Sequence, residues 1–399
     1  MLKRIVVAFL SVVIASMLWT PAAMAWAPAE GPLFNNPKGN DAARYRLQLR
    51  VEKAIRNAPR GSKVLISTYL LDRKPTVDAL LGARKRGASV QVVLDGGINT
   101  GPSRRLKFML NRDNGKAGKQ WGPDNSFAMQ CAGSCRGGGP KQAMHSKFFA
   151  FSRTGTARNV VMVSSANLNR GGATLGYNDL FTMRGVSSTF ATYDRVHQEM
   201  ARDRVNGNPY VVHREGRFES QFFPKRSATR ATDPTYQALS RVRCRGASGG
   251  AGRGGRTAIN VSMFHWGGER GVYLARRLLA LNRDGCVVSV IYGAPSNEVS
   301  RILRDSAWRG GINLYDSRVD RNGDGQVDLR VHTKYMLING KYNGDSSSWQ
   351  VFTGSQNWVK GSLTGGDENS LHINSRPAYV RYMNNWNFVR VNGARKIGR

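Results

Sequence analysis

The 399-residue sequence predicts an α/β protein in which one strand–helix–strand unit occurs twice. Several apolar runs lack polar alternation, which indicates strands buried on both faces, as in layered α/β sheets. The composition, 40% hydrophobic and 22% charged, is that of a soluble globular protein and excludes a wholly disordered chain or a multi-span membrane protein. The length suffices for one large domain or two ordinary ones.

The first 25 residues have the pattern of a signal peptide. Two cations precede an apolar run over Ile5–Trp19, and Ala23 and Ala25 occupy the small-residue positions of a cleavage site. A membrane span needs about 20 apolar residues, so an uncleaved anchor is the weaker alternative. We therefore expect residues 1–25 to be removed and the mature protein to be secreted.

The repeated unit sets the expected domain boundaries. We expect a first lobe at 26–205, a linker or loop region at 206–256 and a second lobe at 257–399. The Gly/Arg run 243–256 inside the linker is typical of a flexible surface loop, with an RNA-binding segment as the alternative. The units themselves are Lys63–Leu71, Ala79–Lys85 and Arg86–Gly97 in the first half, and Thr257–Trp266, Leu274–Gly285 and Cys286–Gly293 in the second.

Each half continues with a pair of strands that carries the same four polar residues. A His and a Lys stand at i and i+2 of the first strand, so both side chains lie on one face. The second strand delivers a Ser and an Asn at the same interval. A single His-x-Lys is usually structural, but its repetition with Ser-x-Asn is far more specific. The residues are His145, Lys147, Ser165 and Asn167 in the first half, and His332, Lys334, Ser355 and Asn357 in the second.

The doubled pattern resembles the phospholipase D superfamily, whose signature is H-x-K-x4-D followed by G-S-x-N, once in each half. The resemblance covers most of the chain after residue 25. It implies two similar α-β-α layered lobes with one active site at their pseudo-two-fold interface. This sequence departs from the signature at the motif aspartate, where Ser152 and Asn339 stand, and at the first glycine, where Ser164 stands.

The motif residues suit phosphodiester chemistry, which needs charge neutralisation and a nucleophile. Lys147 and Lys334 supply positive charge, and Asn167 and Asn357 can donate amide N–H groups to phosphate oxygens. The two motif serines can bind the phosphate or orient its other ligands. No metal or other cofactor is required.

Two histidines would share the proton and bond transfers. One attacks phosphorus to form phosphohistidine, and the other protonates the leaving alcohol and then activates water or an acceptor alcohol. Family precedent makes His145 the nucleophile and His332 the acid/base, an assignment that the residues alone leave open. Acids that orient the two rings are expected after the Ser-x-Asn strands, with Asp179, Asp367 and Glu368 as candidates and a solvated turn as the alternative.

The segment 320–328 has the spacing of a calcium-binding loop. Asp320, Asn322, Asp324 and Asp328 occupy ligand positions, but Val331 stands where the bidentate Glu belongs. An Asn/Asp/Gly turn is the favoured alternative. A bound calcium would brace the strand that carries the second motif.

Export makes the four cysteines disulfide candidates. Cys131 and Cys135 are close enough to bridge locally, which leaves Cys244 to pair with Cys286. Three pairings are nevertheless open from sequence, and a zinc site at the first pair is a weak competitor.

The charge is +34, from 60 Lys and Arg against 26 Asp and Glu, which favours polyanionic partners over a merely solvated surface. We first expect hydrolysis or transfer of phospholipid headgroups at a membrane surface, with Trp121 or Trp358 touching the lipid. A nuclease of the same superfamily is the second hypothesis. A non-catalytic polyanion-binding protein, decayed at Ser152 and Asn339, is the third. No obligate protein partner is inferred.

Overall fold

The computed structural model describes residues 26–111 and 125–398. The predicted signal peptide at 1–25 and Trp121 lie outside the described residues. Among the helices of the described ranges, none is both long and apolar enough to cross a membrane.

The first lobe is a seven-stranded mixed sheet with helices on its faces. Its strands are β1 (Gly31–Phe34), β2 (Lys63–Thr68), β3 (Ser89–Asp95), β4 (Phe127–Cys131), β5 (Phe148–Thr154), β6 (Ala157–Ser164), β7 (Gly176–Tyr177) and β8 (Asp179–Met183). The sheet order is β1-β8-β6-β5-β2-β3-β4, and β7 pairs elsewhere. Its helices are α1 (Asp41–Arg44), α2 (Arg46–Arg56), α3 (Lys74–Lys85), α4 (Gly101–Asn111), α5 (Arg170–Thr174) and α6 (Ser187–Ala201).

The predicted strand–helix–strand unit of this lobe is β2, α3 and β3. β2 and β3 are parallel and almost wholly buried, which is why their sequences show apolar runs without alternation. Gly87 has a φ of 88°, a left-handed conformation that suits glycine and lets the chain turn from α3 into β3. In α2, Leu47, Val51 and Ile55 are buried at intervals of four residues and face the sheet.

The second lobe is built around a ten-stranded sheet. Its helices are α7 (Pro234–Ser240), α8 (Gly268–Arg283), α9 (Asn297–Trp308), α10 (Lys360–Thr364) and α11 (Arg376–Asn392). Its strands are β9 (Val211–Glu215), β10 (Phe218–Phe222), β11 (Val242–Arg243), β12 (Ala258–Trp266), β13 (Val287–Pro295), β14 (Asn313–Asp316), β15 (Arg330–Val331), β16 (Lys334–Tyr342), β17 (Asp345–Gly354), β18 (Asn369–Asn374) and β19 (Arg395–Ile397). The order is β19-β14-β13-β12-β16-β17-β18-β10-β9, with β11 beside β16, while β15 pairs with β7 of the first lobe.

The sequence predicts a linker or loop region at 206–256. The structure instead places the strands of this region in the sheet of the second lobe. The hairpin β9–β10 extends the sheet, because β10 pairs with β18 in the register Phe222↔Asn369. Asp233 at the start of α7 forms a buried ion pair with Arg270 of α8, with N–O distances of 2.8 and 3.2 Å. The region lacks long apolar runs because backbone pairing and ion pairs hold it in place.

The two lobes interlock at equivalent points. Val331 in β15 pairs with Tyr177 in β7, and Met144 forms the corresponding parallel bridge with Asp367. Each of these bridges precedes a motif histidine by one residue. One hydrophobic cluster contains residues of both lobes, so the lobes share a core. The predicted α/β fold class and its two similar lobes are confirmed.

Both expected disulfides are present, Cys131–Cys135 and Cys244–Cys286. The local bridge and the longer one therefore match the favoured pairing of the three. Because the sulfurs of Cys131 and Cys135 are bonded to each other, they are not available as thiolate ligands for zinc.

Candidate active site

The structure brings the two motif histidines to the interface between the lobes. The backbone N–H of His145 donates to the carbonyl of Asp367 at 2.9 Å, and that of His332 donates to the carbonyl of Tyr177 at 2.8 Å. Each histidine is therefore anchored by the backbone of the opposite lobe. This exchange makes the site dependent on both halves of the chain.

His145 is oriented by a carboxylate from the second lobe. Its Nδ1 lies 2.9 Å from both oxygens of Glu368, and Ser355 donates its hydroxyl to the same carboxylate at 2.5 Å. Because the carboxylate only accepts hydrogen bonds, Nδ1 carries the proton. The Nε2 lone pair is then free, and the ring is 19% exposed, enough for a substrate to reach it.

His332 is oriented by an amide from the first lobe. Its Nδ1 lies 2.9 Å from Oδ1 of Asn178, and Ser165 donates to that same oxygen at 3.0 Å. The amide cannot be turned around, because its Nδ2 donates to the carbonyls of Gly172 and Gly176 at 2.8 and 3.1 Å. Nδ1 of His332 is therefore protonated, which leaves Nε2 as the ring nitrogen that can exchange a proton with a substrate.

Two of the three predicted orienting acids have other roles. Asp179 does not contact His332; it accepts hydroxyls from Thr353 at 2.5 Å and Tyr382 at 2.8 Å. Asp367 pairs with the buried guanidinium of Arg136 at 3.2 Å, so its side chain holds a loop while its carbonyl holds His145. The third candidate, Glu368, does orient a histidine.

The motif serines carry the signal that sequence reasoning missed. Ser165 and Ser355 are fully buried, and each bonds the orienting group rather than lying open to a phosphate. The interval from serine to orienting group is thirteen residues in both lobes. The residue thirteen positions after each serine is Asn178 in the first lobe and Glu368 in the second. A search restricted to carboxylates selects Asp179 in the first lobe instead, one residue after Asn178.

The two motif lysines are buried beside the histidines. Each donates its Nζ to the backbone carbonyl of its own motif histidine, at 2.6 Å for Lys147. Lys147 also lies 5.5 Å from the ring centre of Tyr69, and Lys334 lies 5.0 Å from that of Phe264. These two aromatics occupy equivalent places next to β2 and in β12, and the sequence did not single them out.

The electrostatics favour an anion at this site. Burial lowers the pKa of Lys147 to about 7, against the opposing attraction of Glu368, and it holds the pKa of Lys334 well below its usual range. Burial, and then the nearby charges of Lys334 and Lys147, hold the pKa of His332 well below 6.5. Burial also lowers the pKa of His145, although Glu368 acts in the opposite direction. A bound phosphate would relieve this crowding of positive charge.

The motif asparagines follow β6 and β17, and Asn357 is buried whereas Asn167 is partly buried. Oδ1 of Asn167 is buried with no hydrogen-bond partner among the described residues. Oδ1 of Asn357 accepts the backbone N–H of His265 at 3.3 Å, which leaves its Nδ2 group to donate.

The departures from the motif lie away from the reacting groups. Ser152 accepts the backbone N–H of Lys63 at 2.8 Å. Asn339 accepts the N–H of Gly252 at 2.7 Å and donates to the carbonyl of Ser348 at 3.1 Å. Both side chains bind backbone groups of neighbouring strands and loops. The hydroxyl of Ser152 accepts as a carboxylate would, and the amide of Asn339 both accepts and donates.

The predicted calcium loop has the geometry of the alternative, a self-bonded turn. Asp320 accepts the N–H groups of two loop glycines at 2.7 and 2.8 Å. Asn322 donates its amide to Asp324, and Asp328 accepts a backbone N–H. In the described ranges, these carboxylates do not converge into a group of three that could share one ion. The structure therefore supports the turn interpretation.

A protein-family model described as "Cardiolipin synthase, PLD-like domain" matches residues 51–203 and 255–387, which include all eight predicted motif residues. The chain belongs to this phospholipase D-like family. No curated protein matches the chain. Members of the superfamily generally act on phosphodiesters without a metal cofactor.

Solved structures of this fold are similar to the chain at low sequence identity. A polyphosphate kinase from Porphyromonas gingivalis aligns with a TM-score of 0.58 and 14% identity over 92% of this chain and 48% of its own, so this chain spans about half of that kinase. Phosphatidylserine synthase from Haemophilus influenzae Rd KW20 aligns with a TM-score of 0.55 and 12% identity over 94% of this chain and 88% of its own. A mutant of yeast tyrosyl-DNA phosphodiesterase reaches 0.50 with 9% identity over 87% and 89%. At these identities the likeness concerns the fold.

Proposed function

We propose that this protein is an exported phosphodiesterase that hydrolyses or transfers phospholipid headgroups through a phosphohistidine intermediate. The observation that carries the proposal is the pair of crossed contacts at the interface, His145 with Glu368 and His332 with Asn178. Both contacts leave a ring Nε2 unblocked beside two buried lysines. Such a site supplies a nucleophile, a proton donor and positive charge without a metal.

The partners of the two rings assign their roles. Phosphorylation of Nε2 places positive charge on the imidazole, because Nδ1 keeps its proton. Glu368 stabilises that charge on His145, whereas the neutral amide of Asn178 offers His332 no such compensation. His145 is therefore the nucleophile. His332 is the acid/base, and its neutral partner keeps it ready to give up a proton.

In the first step, Nε2 of His145 attacks phosphorus and forms a P–N bond. The bond from phosphorus to the leaving oxygen breaks, and that oxygen takes its proton from Nε2 of His332. Lys147 and Lys334 balance the charge on the non-bridging oxygens as it grows. The products of this step are a free alcohol and a phosphoryl group bound to His145.

In the second step, the now neutral His332 takes a proton from water, and the water oxygen attacks phosphorus. The P–N bond breaks, its electron pair returns to Nε2 of His145, and a phosphate monoester leaves. An acceptor alcohol in place of water gives transfer instead of hydrolysis. Each cycle restores a neutral His145 and a protonated His332.

Two observations support phospholipids as the substrate class. The matching family is named for cardiolipin synthase, and phosphatidylserine synthase shares the fold over most of both chains. Leu175, which is 53% exposed, lies two residues before Tyr177, the residue that anchors His332, so it offers an apolar contact near the site. The predicted lipid contact at Trp358 was wrong, because that ring is 4% exposed and packs edge-on against Trp266.

Nucleic acid is the second candidate, favoured by the charge of +34. A non-catalytic polyanion-binding protein is the weakest of the three hypotheses. The departures at Ser152 and Asn339 that suggested decay bind backbone groups away from the site, and both His–Lys pairs remain assembled. Export is supported by the pattern of residues 1–25 together with two disulfides.

The test compares substrates side by side. The mature protein is incubated with phosphatidylcholine vesicles, phosphatidylglycerol vesicles, plasmid DNA and a single-stranded oligonucleotide, with the His145→Ala variant as control. Headgroup release without strand cleavage supports the lipid proposal. Strand cleavage without headgroup release replaces it with the nuclease, and neither activity, with intact folding, overturns the enzymatic proposal.

A further inference from the structure

A cationic groove lies on the second lobe, outside the active site. The groove has a volume of about 740 Å³ and lies between β11, the last two turns of α8 and the end of β16. We call it the arginine groove, and its cationic lining residues are Arg241, Arg243, Arg245, Arg277 and Lys341.

The arginine groove carries an excess of positive charge over its acidic lining among the described residues. Asp284 is its one acidic lining residue. None of the five cations forms an ion pair with a carboxylate in residues 26–111 or 125–398. Nε of Arg277 is buried without a hydrogen-bond partner in those ranges, which is an unfavourable state for a charged donor. Nη2 of Arg277 donates to the carbonyl of Leu239 at 3.2 Å, and an anionic ligand in the groove would supply the opposite charge that these cations lack.

The groove is well separated from the reacting groups. Lys334 begins β16 beside the catalytic histidines, and Lys341 lies seven residues further along the same strand. At about 3.3 Å per residue, the backbone positions of the two lysines are up to about 23 Å apart. A ligand that fills the groove therefore does not occupy the active site.

The groove is a built feature, because its Gly/Arg loop is tied to the sheet. The N–H of Gly252 donates to Asn339, and the N–H of Ser248 donates to the carbonyl of Ser346 at 2.9 Å. The disulfide Cys244–Cys286 fixes the backbone between Arg243 and Arg245. The backbone that carries these cations is thus fixed before any ligand binds, so only their side chains need to be ordered on binding.

The lining chemistry identifies the occupant. The apolar lining residues Val242, Cys244 and Leu281 are buried, so the groove offers cations but no exposed apolar side chain. A bilayer is a flat surface that rewards inserted apolar groups, and this concave lining does not provide them. A nucleic-acid backbone, by contrast, presents phosphates in a row that guanidinium groups bind well.

We propose that the arginine groove is an exosite that binds the sugar–phosphate backbone of a nucleic acid without reading its sequence. This goes beyond the proposed function, because the groove would hold a nucleic acid whichever ester the active site hydrolyses. A nucleic-acid strand that contacts both the groove and the active site would have to span the distance between Lys341 and Lys334.

The test uses two variants with the same change in charge on the same lobe. Arg243→Glu/Arg245→Glu alters the groove, and Arg301→Glu/Arg309→Glu alters exposed cations of α9 and its end. Both are made in the mature His145→Ala protein, so that no substrate is consumed. Binding of a fluorescent 20-nucleotide single strand is measured by anisotropy from 0.05 to 0.3 M salt. Sedimentation with phosphatidylglycerol vesicles is measured in parallel.

Loss of two single-strand phosphate contacts predicts about 25-fold weaker binding at 0.1 M salt and a log–log salt slope that is smaller by about 1.4. The control variant should stay within about threefold. Equal losses in both variants would show a diffuse charge effect and overturn the exosite, and so would a loss confined to vesicles.

A separate readout keeps the exosite and the catalytic proposal apart. In the protein with His145 intact, Arg243→Glu/Arg245→Glu should hydrolyse bis(p-nitrophenyl) phosphate at an unchanged rate, since that small ester does not reach the groove. Unchanged hydrolysis with unchanged DNA binding refutes the exosite alone. If neither this variant nor the unmodified mature protein hydrolyses the ester, the catalytic proposal alone is refuted.

Discussion

The two half-sites are alike in backbone and unlike in charge. In each, a buried serine thirteen residues upstream holds the group that orients the histidine of the other lobe. The group is the carboxylate of Glu368 for His145 and the amide of Asn178 for His332. Equivalent geometry with different charge teaches that the duplicated halves have specialised, one to carry a covalent phosphoryl group and the other to move a proton.

The largest expected effect is a difference between the two histidine variants in how the loss of rate depends on the leaving group. His145→Ala should reduce kcat by at least about 10⁴-fold on any phosphodiester, because no other group supplies the nucleophile. His332→Ala should cost about 10²- to 10⁴-fold with an alkyl alcohol as leaving group but far less in the first step with p-nitrophenolate, which leaves without a proton.

The rate of the first step, measured as the initial release of the leaving group from both ester types before the steady state, checks this contrast, and circular dichroism verifies folding. Equal losses of this first-step rate in the two variants on both esters would mean that the half-sites have not specialised.

The next effect concerns the pH profile. His332 must be protonated in the first step, and burial with the nearby lysines lowers its pKa. The protonated fraction, and with it kcat/KM, therefore falls as the pH rises through a value below 6.5. Asn178→Asp places a carboxylate beside Nδ1 of His332 and should raise the pKa of that ring, which moves the descending limb up by about one pH unit or more.

Glu368→Gln is the matched change in the other half-site. It should lower kcat without moving the descending limb upward. If Asn178→Asp leaves the pH profile in place, Asn178 does not control the proton affinity of His332.

A feature of the fold or the site could be predicted from the sequence when the residues that form it are close together in the chain. The repeated strands and the eight motif residues were predictable, because hydrophobic runs and short spacings encode them. The crossed partners were not, because Glu368 and Asn178 act on histidines in the opposite lobe. Because we expected a carboxylate, we predicted Asp179, which lies one residue after Asn178, the residue whose amide orients His332.

The 206–256 region shows the same limit. Its glycines, arginines and short strands are typical of a linker, yet β9, β10 and β11 belong to a sheet whose other seven strands come from residues after 256. A strand at the edge of a sheet needs no long apolar run, because its backbone hydrogen bonds come from a distant partner. Long-range pairing of this kind leaves little trace in composition.

A smaller effect sharpens the comparison through the serines. Ser355 donates to a carboxylate at 2.5 Å and Ser165 to an amide at 3.0 Å, and hydrogen bonds to charged acceptors are the stronger. Ser355→Ala should therefore lower kcat by about tenfold and Ser165→Ala by about threefold. KM for a small ester should change little in either variant, because neither hydroxyl is placed to bind phosphate. A rise in KM alone would return the serines to substrate binding.

The smallest expected effect is that of chelation. Activity and thermal stability should be unchanged in excess chelator, because the loop at 320–328 satisfies its carboxylates with its own N–H groups. A drop in melting temperature with chelator that calcium restores would reinstate the metal-binding interpretation of the loop.

The covalent adduct is the most direct test of specialised half-sites. The mature His332→Ala protein is mixed with bis(p-nitrophenyl) phosphate, quenched, digested and analysed by mass spectrometry. Without a base to activate water, the account predicts one p-nitrophenyl phosphoryl group accumulating on His145, and no adduct in the His145→Ala protein. An adduct on His332 in the His145→Ala protein, or full turnover by either variant, would contradict it.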